Sequence, residues 1–535
     1  MPTAFDFSLL ANFIYTQPLM FRNSFLMFDP FRLLESFFRE PPALRLSLCA
    51  IVADAIRLPE EVCLSYYSRA RKALLRITEP SLKAIQALYL CATFALMNGQ
   101  VALGIPAMDR AIHMLLDLNL EHDPDDNPIF RHLNEKERDE VRRTFWVFNY
   151  AVKMMRLQVG PDSMRIIFTA KGMKPCHDIG DPMMLPMSLS LSAPTVFVCG
   201  LIDIMEGILK HVWVPPASVD AIIYSGPIIA QHEARLQIWY QQLPARLKLL
   251  PSTLTSKCLN HCERSGIIVL YMYHRAALCN LHRPMLYLTG VRSVRPNEAY
   301  TCRILDSVQI SLKSAQEMCD ISRQILNITN PNPSAIEHHT QHGVMQLTRF
   351  FWQENYGLCV GLFEAAVVCW YFLCRGDVSW WYLLCPILKE TETELRIRLK
   401  YCVETCVQSL RVFETMMDGG ELSPHGRAEK PNMMTPMVNC IEAMLEEIRR
   451  VQTIHCGVVG EASPSDNTER RFEGMLMEMR VLPLGKVTQQ VEAEAQPAWV
   501  LLGLLGAEVY PGIRWRAGYE ASWRNFWDRA TQNNT

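Results

Sequence analysis

One stretch of the sequence places cysteine and histidine residues at the helical spacing that metal ligands often have. Cys258, His261 and Cys262 stand at i, i+3 and i+4, which puts the three side chains on one face of a helix. A structural zinc site needs four ligands, and His274 is the nearest further histidine. We interpret this stretch as an ordinary helix, with a zinc site as the alternative.

Three carboxylates lie in the stretch Asp123-Pro124-Asp125-Asp126, where acidic side chains could hold magnesium and a diphosphate. Helical isoprenoid synthases carry D-D-x-x-D within a helix for this purpose. Here Pro124 and Pro128 flank the carboxylates, and Asp126 has no aspartate at the required spacing. The pattern predicts a solvated turn, and a magnesium site in a helical isoprenoid-type enzyme is the alternative.

Other signs of catalysis or metal binding are weak. His338, His339 and His342 follow a linker rich in proline and asparagine, which favours a polar loop over a metal site. The sequence contains no phosphate-binding P-loop, no G-x-G-x-x-G, no G-x-S-x-G and no H-E-x-x-H. We therefore assign no catalytic, cofactor-binding or metal-binding residue, and we predict that the chain is not an enzyme.

The composition is that of a large globular protein. Of the 535 residues, 49% are hydrophobic and the net charge is −2, which excludes a wholly disordered chain and a basic nucleic-acid coat. The 18 cysteines are scattered through apolar segments, and the N-terminus lacks the cationic start of a secretory signal. We therefore predict reduced thiols in an intracellular protein.

One apolar stretch is long enough to span a bilayer. Tyr356–Cys374 contains 19 residues with a single charge, Glu364, at its middle. Because a carboxylate at the centre of a bilayer is costly, we interpret the stretch as a buried core helix, with a membrane span as the alternative. We predict no membrane partner.

Helical periodicity dominates from about Leu46 onward. The clearest predicted helices are one from Leu82 with Ser81 as N-cap, one over Pro106–Asp117, one from Asn134 with Glu137 at capping-box spacing, and one over Gly266–Tyr287. Strand patterns are short, and no Asn-Gly or Asp-Gly turn joins two β-rich runs. The predicted fold is all-α, a large multi-helix domain.

Proline- and glycine-rich breaks divide the chain. We predict a loosely structured, phenylalanine-rich lead-in over 1–45, a helical domain over 46–455, and a linker with an aromatic-rich tail over 456–535. The tail aromatics are Trp499, Trp515, Trp523, Phe526 and Trp527. We expect the tail to pack back on the body, because residues 499–506 are too apolar for water, and partner binding is the alternative.

Several short motifs occur in a fixed order along the chain. They are Tyr66-Tyr67-Ser68-Arg69-Ala70-Arg71, Ser81–Leu88, Ala111–Leu120, Glu137–Trp146, Leu236–Pro244, Tyr273–Pro284 and Leu362–Ala366. In order and spacing they resemble the middle regulatory domain of fungal zinc-cluster transcription factors, the fungal-specific transcription factor domain. The motifs over about 46–160 carry most of the resemblance, which extends to about residue 455.

The chain also departs from that family. The family's DNA-reading module is a six-cysteine cluster with two zinc ions, whereas here only Cys49 and Cys63 occur in the first 90 residues and no Cys-x2-Cys exists. The family's Asp-Arg after Phe-Trp is replaced by Tyr150-Ala151-Val152-Lys153, and its Gly-Arg-Pro turn by Gly160-Pro161. We therefore expect a divergent member without its own cluster, and zinc as cofactor only if such a cluster exists beyond this sequence.

The resemblance implies a nuclear regulator of RNA polymerase II transcription, with a metabolic gene cluster among its candidate targets. We expect it to reach DNA indirectly, through another zinc-cluster factor or the transcription machinery, and to respond to a small-molecule effector. The alternative is a helical small-molecule sensor without a direct role in transcription, with Met- and Cys-rich helices lining a cavity.

Two arginine motifs receive structural interpretations. Arg142 and Arg143 precede an aromatic face, so we expect them to cap or pair at a helix junction. Leu281-His282-Arg283-Pro284 is expected to end a buried helix, with Pro284 stopping it. Arg283 would then bond the unpaired carbonyls at that terminus.

Overall fold

The structure, a computed structural model, describes fourteen stretches of the chain. They are residues 3–16, 27–56, 58–98, 100–159, 169–174, 192–248, 261–296, 299–329, 356–418, 435–455, 471–473, 503–510, 512–516 and 519–532. Nearly all regular structure in these stretches is helical, so the predicted all-α fold is confirmed.

Seven of the α-helices in the described residues surround an N-terminal core. They are α1 (Ala4–Thr16), α2 (Pro30–Ser36), α3 (Pro42–Ala55), α4 (Glu60–Leu74), α5 (Leu82–Met97), α6 (Val101–Asp117) and α7 (Glu135–Val159). Helices α1 and α2 lie in the segment that was expected to be loosely structured. Leu10, Phe13 and Phe37 of this segment are fully buried, because their apolar side chains complete the core. Where it is described, the segment is therefore helical and packed.

Local capping signals fix the starts of two helices as the sequence predicts. The hydroxyl of Ser81 accepts a hydrogen bond from the Ala84 amide at 3.2 Å. Asn134 and Glu137 form a reciprocal capping box, in which each side chain accepts from the other's backbone amide, at 3.0 and 3.1 Å. Helix α6 begins at Val101 and not at the predicted Pro106, so Pro106 lies inside the helix, where it removes one backbone hydrogen bond.

The remaining helices surround a second, C-terminal core. They are α8 (Ser192–Val212), α9 (Val219–Ile223), α10 (Gly226–Gln242), α11 (His261–Tyr287), α12 (Thr301–Thr329), α13 (Tyr356–Arg375), α14 (Val378–Leu388), α15 (Glu392–Asp418), α16 (Thr435–His455) and α17 (Glu520–Gln532). Helices α7 and α8 pack against each other and join the two cores. Helix α13 contacts α11, α12, α15 and α16, and so forms the centre of the second core.

Helix α13 is also the helix, among those described, that is long and apolar enough to cross a membrane. Its apolar window, Leu358–Arg375, is 89% buried inside the protein. Glu364, at its middle, is completely buried. This placement agrees with the interpretation of the stretch as a core helix.

Pro284 does not end α11, contrary to the sequence prediction. The helix continues to Tyr287, and Pro284 lies inside its last turn. A proline removes only one helical hydrogen bond, and the apolar burial of Met285, Leu286 and Tyr287, each at most 1% exposed, holds that turn in place.

A three-stranded sheet of very short strands accompanies the helices near the C-terminus. Its order is β1 (Arg471–Glu473), β3 (Ile513–Arg516), β2 (Glu508–Val509). Strand β1 pairs with β3 in parallel, with Phe472 opposite Trp515, and β2 pairs with β3 antiparallel. Strands β1 and β2 both contact α16, so the sheet fixes the C-terminal residues against the helical body.

Candidate functional site

The acidic turn of Asp123 is a buried ion-pair centre and not a solvated turn. Asp123 is 0% exposed and receives two hydrogen bonds from the guanidinium of Arg142, both of 3.0 Å. Arg142 also pairs with Asp125 at 2.8 Å and with Glu135 at 3.1 Å. The prediction of a solvated turn is therefore wrong for Asp123, because a partner distant in sequence covers it. The prediction that Arg142 pairs at a helix junction is confirmed.

This arrangement sets the charge of the turn. Burial acts to raise the pKa of Asp123, but the hydrogen bonds from Arg142 and from the Lys174 amide outweigh it and lower the pKa to about 2. The carboxylates of Asp123 and Asp125 thus form ion pairs with Arg142, which is a structural role. Arg143 forms a separate pair with Asp139 at 3.0 Å.

The predicted metal-like groups lie largely beyond the described residues. Cys258, His338, His339 and His342 are outside them, and His261 begins α11. Among the residues that the structure describes, no group of three or more histidine, cysteine, aspartate or glutamate side chains is arranged to hold a metal ion. The described cysteines include no disulfide.

The most elaborate set of polar contacts in the described structure holds the chain's own C-terminal residues. We call residues 503–510, 512–516 and 519–532 the C-terminal segment. Trp515 and Trp523 are each 1% exposed and Phe526 is 3% exposed. The expectation that the tail packs back on the body is therefore confirmed for these residues, whereas Trp499 lies outside the described part.

Glu520 is the centre of the segment's own structure. Its carboxylate accepts hydrogen bonds from the amides of Leu504 at 2.7 Å and Leu505 at 2.9 Å, and from that of Gly506. The three amides converge because Gly503, Leu505 and Gly506 have positive φ angles of 50°, 48° and 78°. Burial raises the pKa of Glu520 to about 7, although the three amides act in the opposite direction.

Arg283 of α11 holds this turn from the side of the body. Its guanidinium is 0% exposed and donates to the Gly503 carbonyl at 2.9 Å. It also pairs with Glu364 of α13 at 3.1 Å. The side-chain amide of Asn280, with its nitrogen towards Glu364, donates to the same carboxylate at 2.8 Å. Arg283 therefore binds a carbonyl of the C-terminal segment, and the prediction that it bonds its own helix end is wrong, since α11 continues past it.

Aromatic side chains complete the contact with the turn. The Tyr287 hydroxyl donates to the Leu504 carbonyl at 2.9 Å, and its ring stacks on Tyr371 with centroids 3.8 Å apart. The indole N–H of Trp527 donates to the Leu505 carbonyl at 2.9 Å, and that of Trp523 to the Val212 carbonyl of α8 at 3.0 Å. The body thus binds the carbonyls of Gly503 and Leu504, and Trp527 of the segment binds that of Leu505.

A second anchor lies where α13 and α16 meet the sheet. Glu447 of α16 is buried and accepts from the Trp370 indole at 2.8 Å and from the Tyr510 amide at 3.1 Å. Arg375 pairs with Glu447 and donates to the Glu508 carbonyl at 3.0 Å. We call the body residues Arg283, Tyr287, Glu364, Arg375 and Glu447 the C-terminal seat.

A charged cleft of about 250 Å³ lies between α7 and α8, where the two cores meet. Lys153 pairs there with Asp203, and Glu206 accepts from Arg156 at 2.6 Å and from Lys210 at 2.8 Å. Charged side chains of both helices line the cleft, whereas the seat is filled by the chain itself.

Sequence reasoning did not find the seat, although a signal for it was present. Glu364 is a charged residue at the middle of a nearly apolar stretch, Arg283 lies near the end of another helical stretch, and buried charges are rarely left unpaired. That signal predicts the pair. The same signal does not predict that Arg283 also binds the Gly503 carbonyl, because Gly503 is 220 residues away from Arg283.

Comparison with known proteins gives one family. Residues 31–160 match the family model described as the fungal specific transcription factor domain. The predicted resemblance is therefore confirmed over this stretch, which begins earlier than the expected boundary at residue 46 and contains α2 to α7. No curated protein and no solved structure gives a significant match. The motifs beyond residue 160, including that of Arg283, remain a sequence-based resemblance.

Proposed function

We propose that this chain is a fungal regulator of RNA polymerase II transcription that acts in the nucleus and has a metabolic gene cluster among its candidate targets. The observation that carries the proposal is the family match over residues 31–160. The matched stretch folds as a packed multi-helix body, as a regulatory domain requires.

The C-terminal seat supports a regulatory mechanism by occupancy. Arg283 and Tyr287 of the seat bind the carbonyls of Gly503 and Leu504, while Trp527 and Glu520 of the segment itself bind the Leu505 carbonyl and the amides of the turn. A segment held by so many buried contacts is masked from other proteins. A partner or effector that binds the unmasked form more tightly than the masked form shifts the population towards the unmasked form. The size of the shift is set by the difference between the two binding free energies.

The proposal includes indirect contact with DNA. This sequence has no Cys-x2-Cys, and no described group of side chains is suited to a metal, so within this sequence we assign no zinc cluster. The chain would reach DNA by pairing with a complete zinc-cluster factor. Zinc enters as a cofactor only where such a cluster precedes these residues in the encoded protein.

A tethering experiment tests the proposed function. The chain is fused to a foreign DNA-binding domain with known sites upstream of a reporter gene in a fungal host. We expect reporter output to change at least several-fold in either direction, and to require residues 31–160. The foreign domain alone is the control. No change in any growth condition, with the fusion present in the nucleus, would contradict the proposal.

The alternative function, a small-molecule sensor without a direct role in transcription, draws support from the cleft between α7 and α8. Its lining carries both signs of charge, with Lys153, Arg156 and Glu206 close to one another, which suits a small polar effector. Thermal stabilisation by such a molecule, lost in Glu206→Gln, together with an inert tethered fusion, would favour this alternative.

A further inference from the structure

Four buried cysteines lie near one another in the second core, and the proposed function uses none of them. Cys319 lies on α12, Cys369 on α13, and Cys402 and Cys406 on α15. Each is at most 3% exposed. The Sγ atoms of Cys319 and Cys406 are 3.5 Å apart, which is sulfur–sulfur contact between two neighbouring helices.

The pairing of α12 with α15 explains why these two sulfurs meet. One turn further along both helices, the hydroxyls of Ser322 and Ser409 are 2.6 Å apart. One turn earlier, the Cys402 thiol donates to the Gln316 side-chain oxygen at 3.0 Å. The partners advance in the same direction, so the helices run parallel, and short side chains along the contact let the two backbones lie close together.

This geometry suits one particular pair. A disulfide needs an S–S distance of about 2.05 Å, so these two sulfurs, 3.5 Å apart, must approach each other by about 1.5 Å. The Cys319 thiol also donates to the Cys402 carbonyl at 3.5 Å, which holds it over the turn that carries Cys406. The Cys402 thiol donates to Gln316 and also interacts with the thiols of Cys319 and Cys369, so Cys402 is the competing partner for Cys319. A metal is a weaker occupant, because no three ligating side chains among the described residues are arranged around one point.

We propose that Cys319 and Cys406 form a redox site whose two thiols are converted by a small peroxide into a reversible intramolecular disulfide. One thiol, as the thiolate, attacks a peroxide oxygen, which breaks the O–O bond and gives a sulfenic acid and one water. The second thiol attacks that sulfur, the S–S bond forms, and a second water leaves. Two thiols and one hydrogen peroxide thus give one disulfide and two waters. A thiol reductant reverses the change.

The consequence is a covalent link between α12 and α15. Both helices pack on α13, which carries Glu364 of the C-terminal seat. The link closes a loop that spans α13 and α14, so the oxidised protein resists unfolding more strongly than the reduced protein. Entry of the oxidant requires local opening of the core, which makes the reaction slower than that of an exposed thiol.

The test uses the full chain, reduced and then treated with hydrogen peroxide. Remaining thiols are alkylated in denaturant, and the digest is analysed by mass spectrometry without reduction. We expect the peptides of Cys319 and Cys406 to appear linked, with a loss of two hydrogens, and dithiothreitol to restore both thiols. The melting temperature of the oxidised chain should rise by several degrees.

Two controls separate the folded geometry from general thiol reactivity. The Cys319→Ser and Cys406→Ser variants should each lose the linked peptide, while Cys440→Ser, which changes a buried cysteine of α16, and Cys302→Ser, which changes an exposed one, should keep it. In urea the same treatment should give mixed pairings. Linkage of Cys402 instead, oxidation confined to Cys302, or an equal yield of the Cys319–Cys406 link in urea would each overturn the proposal. The wild-type chain alone decides these outcomes if a serine variant does not fold.

Discussion

The guanidinium of Arg283 and the carbonyl of Gly503 are 220 residues apart in sequence and form a buried hydrogen bond of 2.9 Å. The same guanidinium pairs with Glu364, so one arginine joins α11, α13 and the C-terminal segment. Because the Arg283 guanidinium is buried, its charge is stabilised by both the Glu364 carboxylate and the Gly503 carbonyl. The body and the C-terminal segment are therefore one folding unit at this point.

Removing only one member of the buried pair should be costly. Arg283→Met leaves the Glu364 carboxylate buried without its cation, and we expect about 3–5 kcal/mol of lost stability. The double variant Arg283→Met with Glu364→Leu should lose clearly less, because no charge stays buried. Urea unfolding of the two single variants and the double variant measures the coupling. If the double variant lost as much stability as the sum of the two single losses, the two side chains would not be coupled, which would contradict a direct pair.

The raised pKa of Glu520 predicts a loss of stability with rising pH. The folded protein holds this proton up to about pH 7, whereas the unfolded chain releases it near 4.5. The contribution is thus fully present below pH 4.5 and is lost as pH rises through 7, and it amounts to roughly 3 kcal/mol at most.

Melting temperatures between pH 4.5 and 8 measure this effect of Glu520. Glu520→Gln should flatten the profile in that window, while Glu446→Gln, at an exposed position of α16, should leave it unchanged. A wild-type melting temperature that does not fall as pH rises through 7, or an equal fall in Glu520→Gln, would contradict the assignment.

Asp123 should have the opposite pH dependence. Its pKa is lowered to about 2, so its pairing with Arg142 stabilises the protein above pH 3.8, and the effect is lost as pH falls through 2. Asp123→Asn should cost about 2–4 kcal/mol at pH 7, with the difference from wild type shrinking towards pH 2. Denaturant unfolding measures it. The matched change Asp126→Asn, at the exposed end of the same turn, should cost under about 0.5 kcal/mol, and equal costs would contradict the buried pair.

The capping box of α7 gives a local prediction. Asn134→Ala removes the acceptor for the Glu137 amide and should cost about 1 kcal/mol. Asn134→Asp keeps an acceptor and should cost little. Thermal unfolding of the two variants makes the comparison, and an alanine variant as stable as wild type would show that the cap contributes nothing.

The sequence was sufficient for features that depend on neighbouring residues. Ser81 and the Asn134–Glu137 box are read from residues three apart, and the helical fold from apolar periodicity, because these depend on backbone geometry alone. The predictions of a solvated turn at Asp123 and of a helix end at Pro284 were wrong, because burial by parts of the chain outside these two turns decided both outcomes. A partner that is distant in sequence, such as Arg142 or Gly503, leaves no local signal.

Amide hydrogen exchange of the full chain tests the central claim, that the body holds its own C-terminal segment, most directly. The turn that contains the amides of Leu504, Leu505 and Gly506 is bound to Glu520 within the segment and to Arg283 and Tyr287 of the body, so the account predicts slow exchange, within about an order of magnitude of the most protected amides of α13. Arg283→Met should accelerate these three amides more than those of α3 in the other core. Exchange of residues 504–506 at the rate of an unstructured peptide, while α13 stays protected, would contradict the account.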